Sequence, residues 1–492
     1  MGAAQSAPPK KPVERGSAFS VFVALGASLG GLLYGYDTGI IGSALLFLRD
    51  DFGIGDNAFL QSVITSITLL GAIAGAVLTG PLSDRLGRRK TVLVVSAAFI
   101  AFAIGCALAP DVGTLIAFRF LLGVPVGGAS QIIPLYISEL APPKSRGSQA
   151  VLFQVMICVG TLLAYASGHV LGADAAWREM LGIAAIPAVL FLIAMTLLPE
   201  SPRWLAIRGR EAEARAVLRR VRADEASVEA EIHDIRQIDS SDTGTWTDLR
   251  RRWVRPALVA GVGVAFFSQA TGISAIIYYA PSLLELAGFG TGAATLASIG
   301  VGVSLTVFTV LGIYLLERWG RRRLTLIGLP GAVVVLGIMA ALLPWTASAS
   351  ASIGSGAQTV VVVCLLAYFA FNGGSLSVVA WLYFAEIFPL TVRGKGVSFC
   401  AFVLWVTNFL LTLVLLFAAD GLGVGMVFGA LAALNALAFV FVWFWMPETK
   451  GRTLEEIEAS LRNGTFTPHR NRPVGRSASS DQTQKDPVYD HD

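Results

Sequence analysis

Charge is what this sequence has least of. Only 14% of its 492 residues are Asp, Glu, Lys or Arg, against about 25% in a soluble domain, and the mean hydropathy is +0.67. An ordinary soluble fold is excluded. The four histidines, His169, His233, His469 and His491, are scattered, no nucleophile and base stand together, and no Walker P-loop is present. The chain therefore reads as neither an enzyme nor an ATP-driven pump, and no metal site or bound cofactor is expected. Its four cysteines, Cys106, Cys158, Cys364 and Cys400, all fall in apolar runs, which argues against a disulfide framework and for packing roles. The opening MGAAQSAPPKKPVERG lacks a cleavage pattern, and the first apolar run is too long for a signal-peptide core. MGAAQS formally fits a myristoylation signal, but one acyl chain adds nothing to a protein with many spans.

What the sequence has in abundance is apolar runs of roughly 20 residues, the length that crosses a hydrocarbon core of about 30 Å. Twelve are expected, near 20–47, 59–80, 91–109, 113–139, 149–171, 179–198, 257–285, 293–316, 324–343, 359–387, 396–419 and 425–446. The fold class is an all-α membrane protein. Basic loops at 84–90, 142–147, 317–323 and 391–396, with Lys and Arg in both tails, alternate with loops whose basic residues are only Arg49 and Arg178. By the positive-inside rule both termini are cytoplasmic, so Asn463 in NGT is not expected to be glycosylated. The formal net charge of +4 follows from this asymmetry and implies a lipid bilayer, and no nucleic acid, as partner.

The chain also repeats itself. YISELAPPKSRG and YFAEIFPLTVRG close the fourth and tenth runs, with Glu139 to Glu386 and Arg146 to Arg393 at one common separation. PESPR at Pro199 pairs with PETKG at Pro447, and SDRLGRR at Ser83 with LERWGRR at Leu316, in the same order. Two homologous six-helix halves result, the pattern of a transporter with its site between them. The expected organisation is an N-terminal tail (1–18), a first half (19–198), a cytoplasmic linker with short helices (199–255), a second half (256–446), a cytoplasmic helix (447–462) and a disordered tail (463–492). Within the linker, REAEARAVLRRVRA and SVEAEIHDIRQI read as amphipathic helices, and after PETKGR Thr453 with Glu456 forms a capping box that opens the last cytoplasmic helix.

One acid lies deep in the first run. Asp37, in GLLYGYDTGIIGSALLF, is roughly 15 Å below the outer surface at 1.5 Å per residue, and Arg119 in the fourth run is roughly 9 Å deep. A carboxylate there is costly and marks a function, and the overlapping depths allow the two to pair. A neighbouring guanidinium favours the ionised carboxyl, whereas desolvation favours the protonated one. A permanent ion pair and a proton carrier are both open on these residues alone.

The motifs DRLGRR after Gly80, ERWGRR, PESPRWL, PETKG and GYDTGIIGSAL together resemble the sugar porter family of the major facilitator superfamily, over about residues 19–461. The resemblance implies the major facilitator fold and import of a monosaccharide or polyol through the cell membrane, by a carrier working as a monomer. In that family the positions of Asp37 and Arg119 mark proton-coupled symporters. The proton is then the coupling ion, with an uncoupled uniporter or a sugar sensor as alternatives. Matching sugar-contact positions are Gln154, Gln269, Trp381, Trp405 and Asn408, whose amides can pair with hydroxyls and whose indoles can stack on a sugar ring. Ser268 and Ser274 stand where the family usually has glutamine and asparagine, so glucose or xylose specificity does not transfer directly. Tyr278 and Tyr279 are expected as lining or gate residues.

The resemblance also implies an inner gate network. In the first half it comprises Asp84, Arg85, Arg88, Arg89, Glu139, Arg146 and Glu200. In the second it comprises Glu317, Arg318, Arg321, Arg322, Glu386, Arg393 and Glu448. Positive-inside topology explains the arginines without a gate, but not acids repeated at matching places.

Overall fold

Twelve helices long and apolar enough to cross a membrane make up most of the computed structural model, which describes residues 15–142, 145–222, 224–238, 245–345, 354–389 and 391–467. They are α1 (Phe19–Asp51), α2 (Ala58–Leu86), α3 (Arg88–Ala107), α4 (Val112–Leu140), α5 (Val151–Gly172), α6 (Trp177–Leu197), α7 (Arg255–Leu286), α8 (Thr291–Trp319), α9 (Arg321–Leu342), α10 (Ser355–Ile387), α11 (Arg393–Leu422) and α12 (Val424–Trp445). The protein is a multi-pass, all-helical membrane protein, with no strand among the described residues. The end bearing the loops after α2, α4, α8 and α10 is called the basic end.

Local chemistry sets the helix boundaries. Asn57 caps α2 by accepting from the Leu60 amide at 2.9 Å, and Asp111 caps α4 through the Thr114 amide at 2.9 Å. That amide and the Thr114 hydroxyl hold the Asp111 carboxyl below the usual carboxylate range. At the basic end Gly87 joins α2 to α3 with φ of 98°, and Gly320 joins α8 to α9 with φ of 88°. A Cβ at either glycine would meet a carboxylate, Glu200 Oε2 at 2.4 Å or Glu448 Oε2 at 2.6 Å. Both positions therefore favour glycine for the positive φ, and a side chain there would displace the carboxylate.

Helix α7 is broken at Gly272, which separates Arg255–Ala270 from Ile273–Leu286. The break frees backbone carbonyls, and buried side chains take one of them up: Asn435 Nδ2 and the Tyr368 hydroxyl donate to Thr271 O at 3.0 and 2.9 Å. The halves meet along α1 with α7, α2 with α11, and α5 with α8.

The linker helices, Glu211–Val221 and Glu225–Ile238, form a small core of their own from Leu205, Ala214, Leu218, Val221, Val228 and Ile232. Arg222 fastens it by pairing with Glu231 at 2.6 Å and donating to Leu140 O at 3.0 Å. On the second half the helix Leu454–Arg462 opens with the Thr453 and Glu456 capping box, and Arg462 lies over the Trp253 ring at 4.3 Å. The expected disordered tail lies outside the described residues from 468 onward.

Candidate functional site

The deepest charges meet. Arg119 Nη1 donates to Asp37 Oδ1 at 2.5 Å across α4 and α1, with Arg119 0% and Asp37 3% exposed. Arg119 Nε also reaches Ile64 O on α2 at 3.4 Å. Nη2 is buried with no hydrogen-bond partner. Next along α1, Thr38 Oγ1 lies 3.5 Å from the Tyr278 hydroxyl of α7, so the pair lies beside the seam between the halves. A buried pair of this kind adds little net stability, because desolvation offsets the attraction.

The positions expected to contact substrate distribute unevenly. Trp405 (α11) is buried, its ring tilted against Tyr34 of α1 at 5.8 Å, and its indole Nε1 has no partner. Asn408 accepts from the Thr412 hydroxyl at 3.2 Å, and Thr412 O accepts from the Tyr279 hydroxyl at 3.0 Å, which links α11 to α7. Gln269 and Ser274 bond one another at 2.7 Å across the α7 break. Gln154 is half-buried on α5, beside Cys158. Ser268, by contrast, donates back to Ala265 O of its own helix at 2.8 Å. Trp381 is half-buried with its ring edge-on to Phe384 at 5.9 Å.

A cavity of about 480 Å³ opens between α2, α4 and α11 at the basic end. Trp405 forms part of its wall, together with Thr79, Asp84, Gln131, Phe402 and the linker's Trp246. Gln131 and Trp246 were not expected there. Neither belongs to a repeated motif, and Trp246 comes from the polar linker, so the sequence offered no signal for them.

The charges at the basic end form two parallel networks, one in each half. In the first, Arg88 bonds Glu139 at 3.3 Å and Asp84 at 2.9 Å, and Tyr136 donates to Pro199 O at 2.5 Å. In the second, Arg321 pairs with Glu386 through two bonds, one at 2.9 Å, and Tyr383 donates to Pro447 O at 3.2 Å. Each of these ion pairs stays within its own half. Glu200 and Glu448 do not bond arginine side chains in these networks. They cap helix N-termini instead, Glu200 taking the Arg89 amide at 3.0 Å and Glu448 the Arg321 and Arg322 amides at 2.9 Å. A helix start favours such an anion.

The Arg89 and Arg322 side chains turn to backbone carbonyls, at Met195 and at Trp443. Arg393 lies within electrostatic reach of Glu386. Arg318 stacks over Tyr314 at 4.5 Å, and Arg85 and Glu317 are exposed. The Arg146 side chain lies outside the described residues.

Between the halves, the closure is at the other end. Arg49 of α1 bonds both carboxylate oxygens of Glu285 on α7, each at 2.9 Å, and Tyr165 donates to Ile277 O at 2.6 Å. His169 Nδ1 lies 2.9 Å from the Thr295 hydroxyl. The Arg49 and Glu285 pair was not expected, because nothing links two single charges so far apart in sequence. Glu285→Gln should loosen this closure. A cysteine placed at Thr38 would then react several-fold faster with an impermeant thiol reagent applied from that end, and unchanged labelling would show that the pair does not hold it shut.

Two pseudo-symmetric six-helix halves, a buried carboxylate at their seam and a cavity open at one end define a membrane carrier of the major facilitator fold. The sequence profile described as Sugar (and other) transporter matches residues 23–461, and the chain belongs to that family. It is 38% identical over 453 residues to the major myo-inositol transporter IolT of Bacillus subtilis (strain 168), covering 89% of this chain and 94% of that one. It is 36% identical over 464 residues to the galactose-proton symporter of Escherichia coli (strain K12), covering 92% and 97%. Its structure resembles the partially occluded inward open conformation of the xylose transporter XylE from E. coli, with a TM-score of 0.77 at 28% identity over 89% of this chain and 100% of that one.

Proposed function

We propose that this protein is a secondary active transporter that imports a monosaccharide or a polyol together with a proton, by alternating access. It sits in the cell membrane with its basic end and both termini in the cytoplasm, and works as a monomer without a cofactor. The observation that carries this reading is the Asp37 and Arg119 pair, buried beside the α1 and α7 seam where motion of one half past the other would reach it. A structural ion pair alone could sit anywhere in the first half. The galactose and xylose carriers among its relatives support the sugar, and the inositol carrier supports a polyol.

The test is uptake into proteoliposomes across labelled hexoses, pentoses and inositols, with and without a pH gradient. Accumulation of one substrate above its external concentration, with acidification of the lumen, is expected. Mere equilibration would make the protein a uniporter, and binding without flux a sensor. For the substrate so found, Gln154→Ala should weaken binding about tenfold, the loss of one net hydrogen bond of about 1.4 kcal/mol, while the unliganded melting temperature stays put. Unchanged affinity would remove Gln154 from the site.

A further inference from the structure

The face of α2 toward α4 and α7 carries more buried hydroxyls than packing explains. Ser62, Thr65, Ser66 and Thr68 are each at most 1% exposed, and helical spacing places the first three on one side of the helix over about one turn, with Thr68 turned away from Ser66. Thr65 returns its hydrogen to Gln61 O at 3.1 Å. Among the described residues Ser66 Oγ and Thr68 Oγ1 have no partner, Ser62 Oγ has none nearer than the Tyr279 hydroxyl, and Arg119 Nη2, whose Nε reaches Ile64 O of the same helix, has none either. Leaving a buried polar group unpaired costs about 1–3 kcal/mol, and unpaired hydroxyls on α2, together with an unpaired guanidinium nitrogen on the side chain that bonds this helix, ask for a role.

Small polar residues also let membrane helices pack closely, and that explains Thr68, where a Cβ on Gly123 would meet Thr68 O at 2.0 Å. It does not explain the unpaired hydroxyl of Ser66, nor that of Ser62, which finds only the Tyr279 hydroxyl across the seam. Ser62 and Thr65 stand against Tyr279 of the other half, whose own hydroxyl proton is engaged by Thr412 O. Tyr279 lies beyond the Gly272 break, on the segment that closes the end opposite the basic loops.

We propose that Ser62, Thr65 and Ser66 form a water-binding hydroxyl path by which the coupling proton reaches the Arg119 and Asp37 pair from the end opposite the basic loops. Tyr279 covers the path when that end is shut and uncovers it when the halves part there. In the net step a hydronium ion gives one proton to the Asp37 carboxylate, leaving water and the carboxylic acid. Each hydroxyl on the way accepts one proton and passes one on. The other titratable groups facing the pair are Tyr34 on α1, Cys106 on α3, and Tyr278 and Tyr279 on α7. The inference rests on the proton-coupled reading of Asp37.

The test is the variant S62A/T65V/S66A of the full chain in proteoliposomes. Initial uptake driven by a pH gradient should fall about tenfold, while sugar counterflow at equal pH on both sides and the melting temperature remain as in wild type. Thr65→Ser, which keeps the hydroxyl, should retain the driven rate. Wild-type driven uptake in the triple variant would overturn the path. So would an equal loss of driven uptake and counterflow, which would make the hydroxyls structural. If Asp37→Asn uncouples transport and the triple variant does not slow it, the path alone falls. If wild type shows no proton drive, the coupling reading falls with it.

Discussion

Asp37→Asn should abolish uphill accumulation and leave exchange running. With one proton carried per sugar, each unit of pH difference sustains about a tenfold concentration ratio, equivalent to about 1.4 kcal/mol, so wild type should exceed the external concentration and the variant should only equal it. The substitution suits the question because asparagine keeps nearly the same shape and an amide oxygen that can still accept from Arg119 Nη1. What it removes is the ability to alternate between a charged and a neutral form. Exchange needs no net proton movement and so tests whether the carrier still folds, binds and rocks. Accumulation that persists in Asp37→Asn would assign the pair a structural role only, and the coupling group would have to be sought elsewhere.

The legible parts of this molecule were those in which one stretch of sequence carries its own physics. Apolar length located the twelve spans, and Thr453 with Glu456 located a helix start from two side chains. The duplicated motifs gave the two halves. Even the meeting of Asp37 and Arg119 could be anticipated, because helix direction and rise fix depth, and two charges at one depth in hydrocarbon have few other partners. Lateral arrangement was less legible. Glu200 and Glu448 were expected among salt bridges, yet their bonds go to amides at the starts of α3 and α9. A carboxylate in the sequence does not say whether its donor will be a side chain or backbone, and here the choice falls to Gly87 and Gly320, which leave room for the acid at the helix start.

Helix rotation was the other hidden variable. Ser268 turned out to bond its own helix, while Ser62 and Thr65, with no family motif to flag them, turned toward the other half. Hydrophobic periodicity assigns faces well when one side meets water. It is nearly silent on α2, where lipid and protein interior are both apolar and polarity around the helix varies little. Cross-half partners such as Arg49 and Glu285 escape for a related reason, since each lies at a helix end where an isolated charge is ordinary.

Arg119→Gln should be more damaging than Asp37→Asn, and the two together less damaging than Arg119→Gln alone. Removing the guanidinium leaves a carboxylate that is 3% exposed without its cation, and breaking a buried pair from one side costs about 3–5 kcal/mol. The single variant should melt at a markedly lower temperature and lose both exchange and accumulation. In Asp37→Asn with Arg119→Gln, two neutral amides replace the pair and can hydrogen-bond one another. Thermal stability and exchange should then recover toward wild type, while accumulation does not return. The coupling energy from this double-mutant cycle measures the pair itself. If Arg119→Gln proves as stable as wild type, Asp37 is not charged beside it, and the carboxyl must hold its proton before any partner moves.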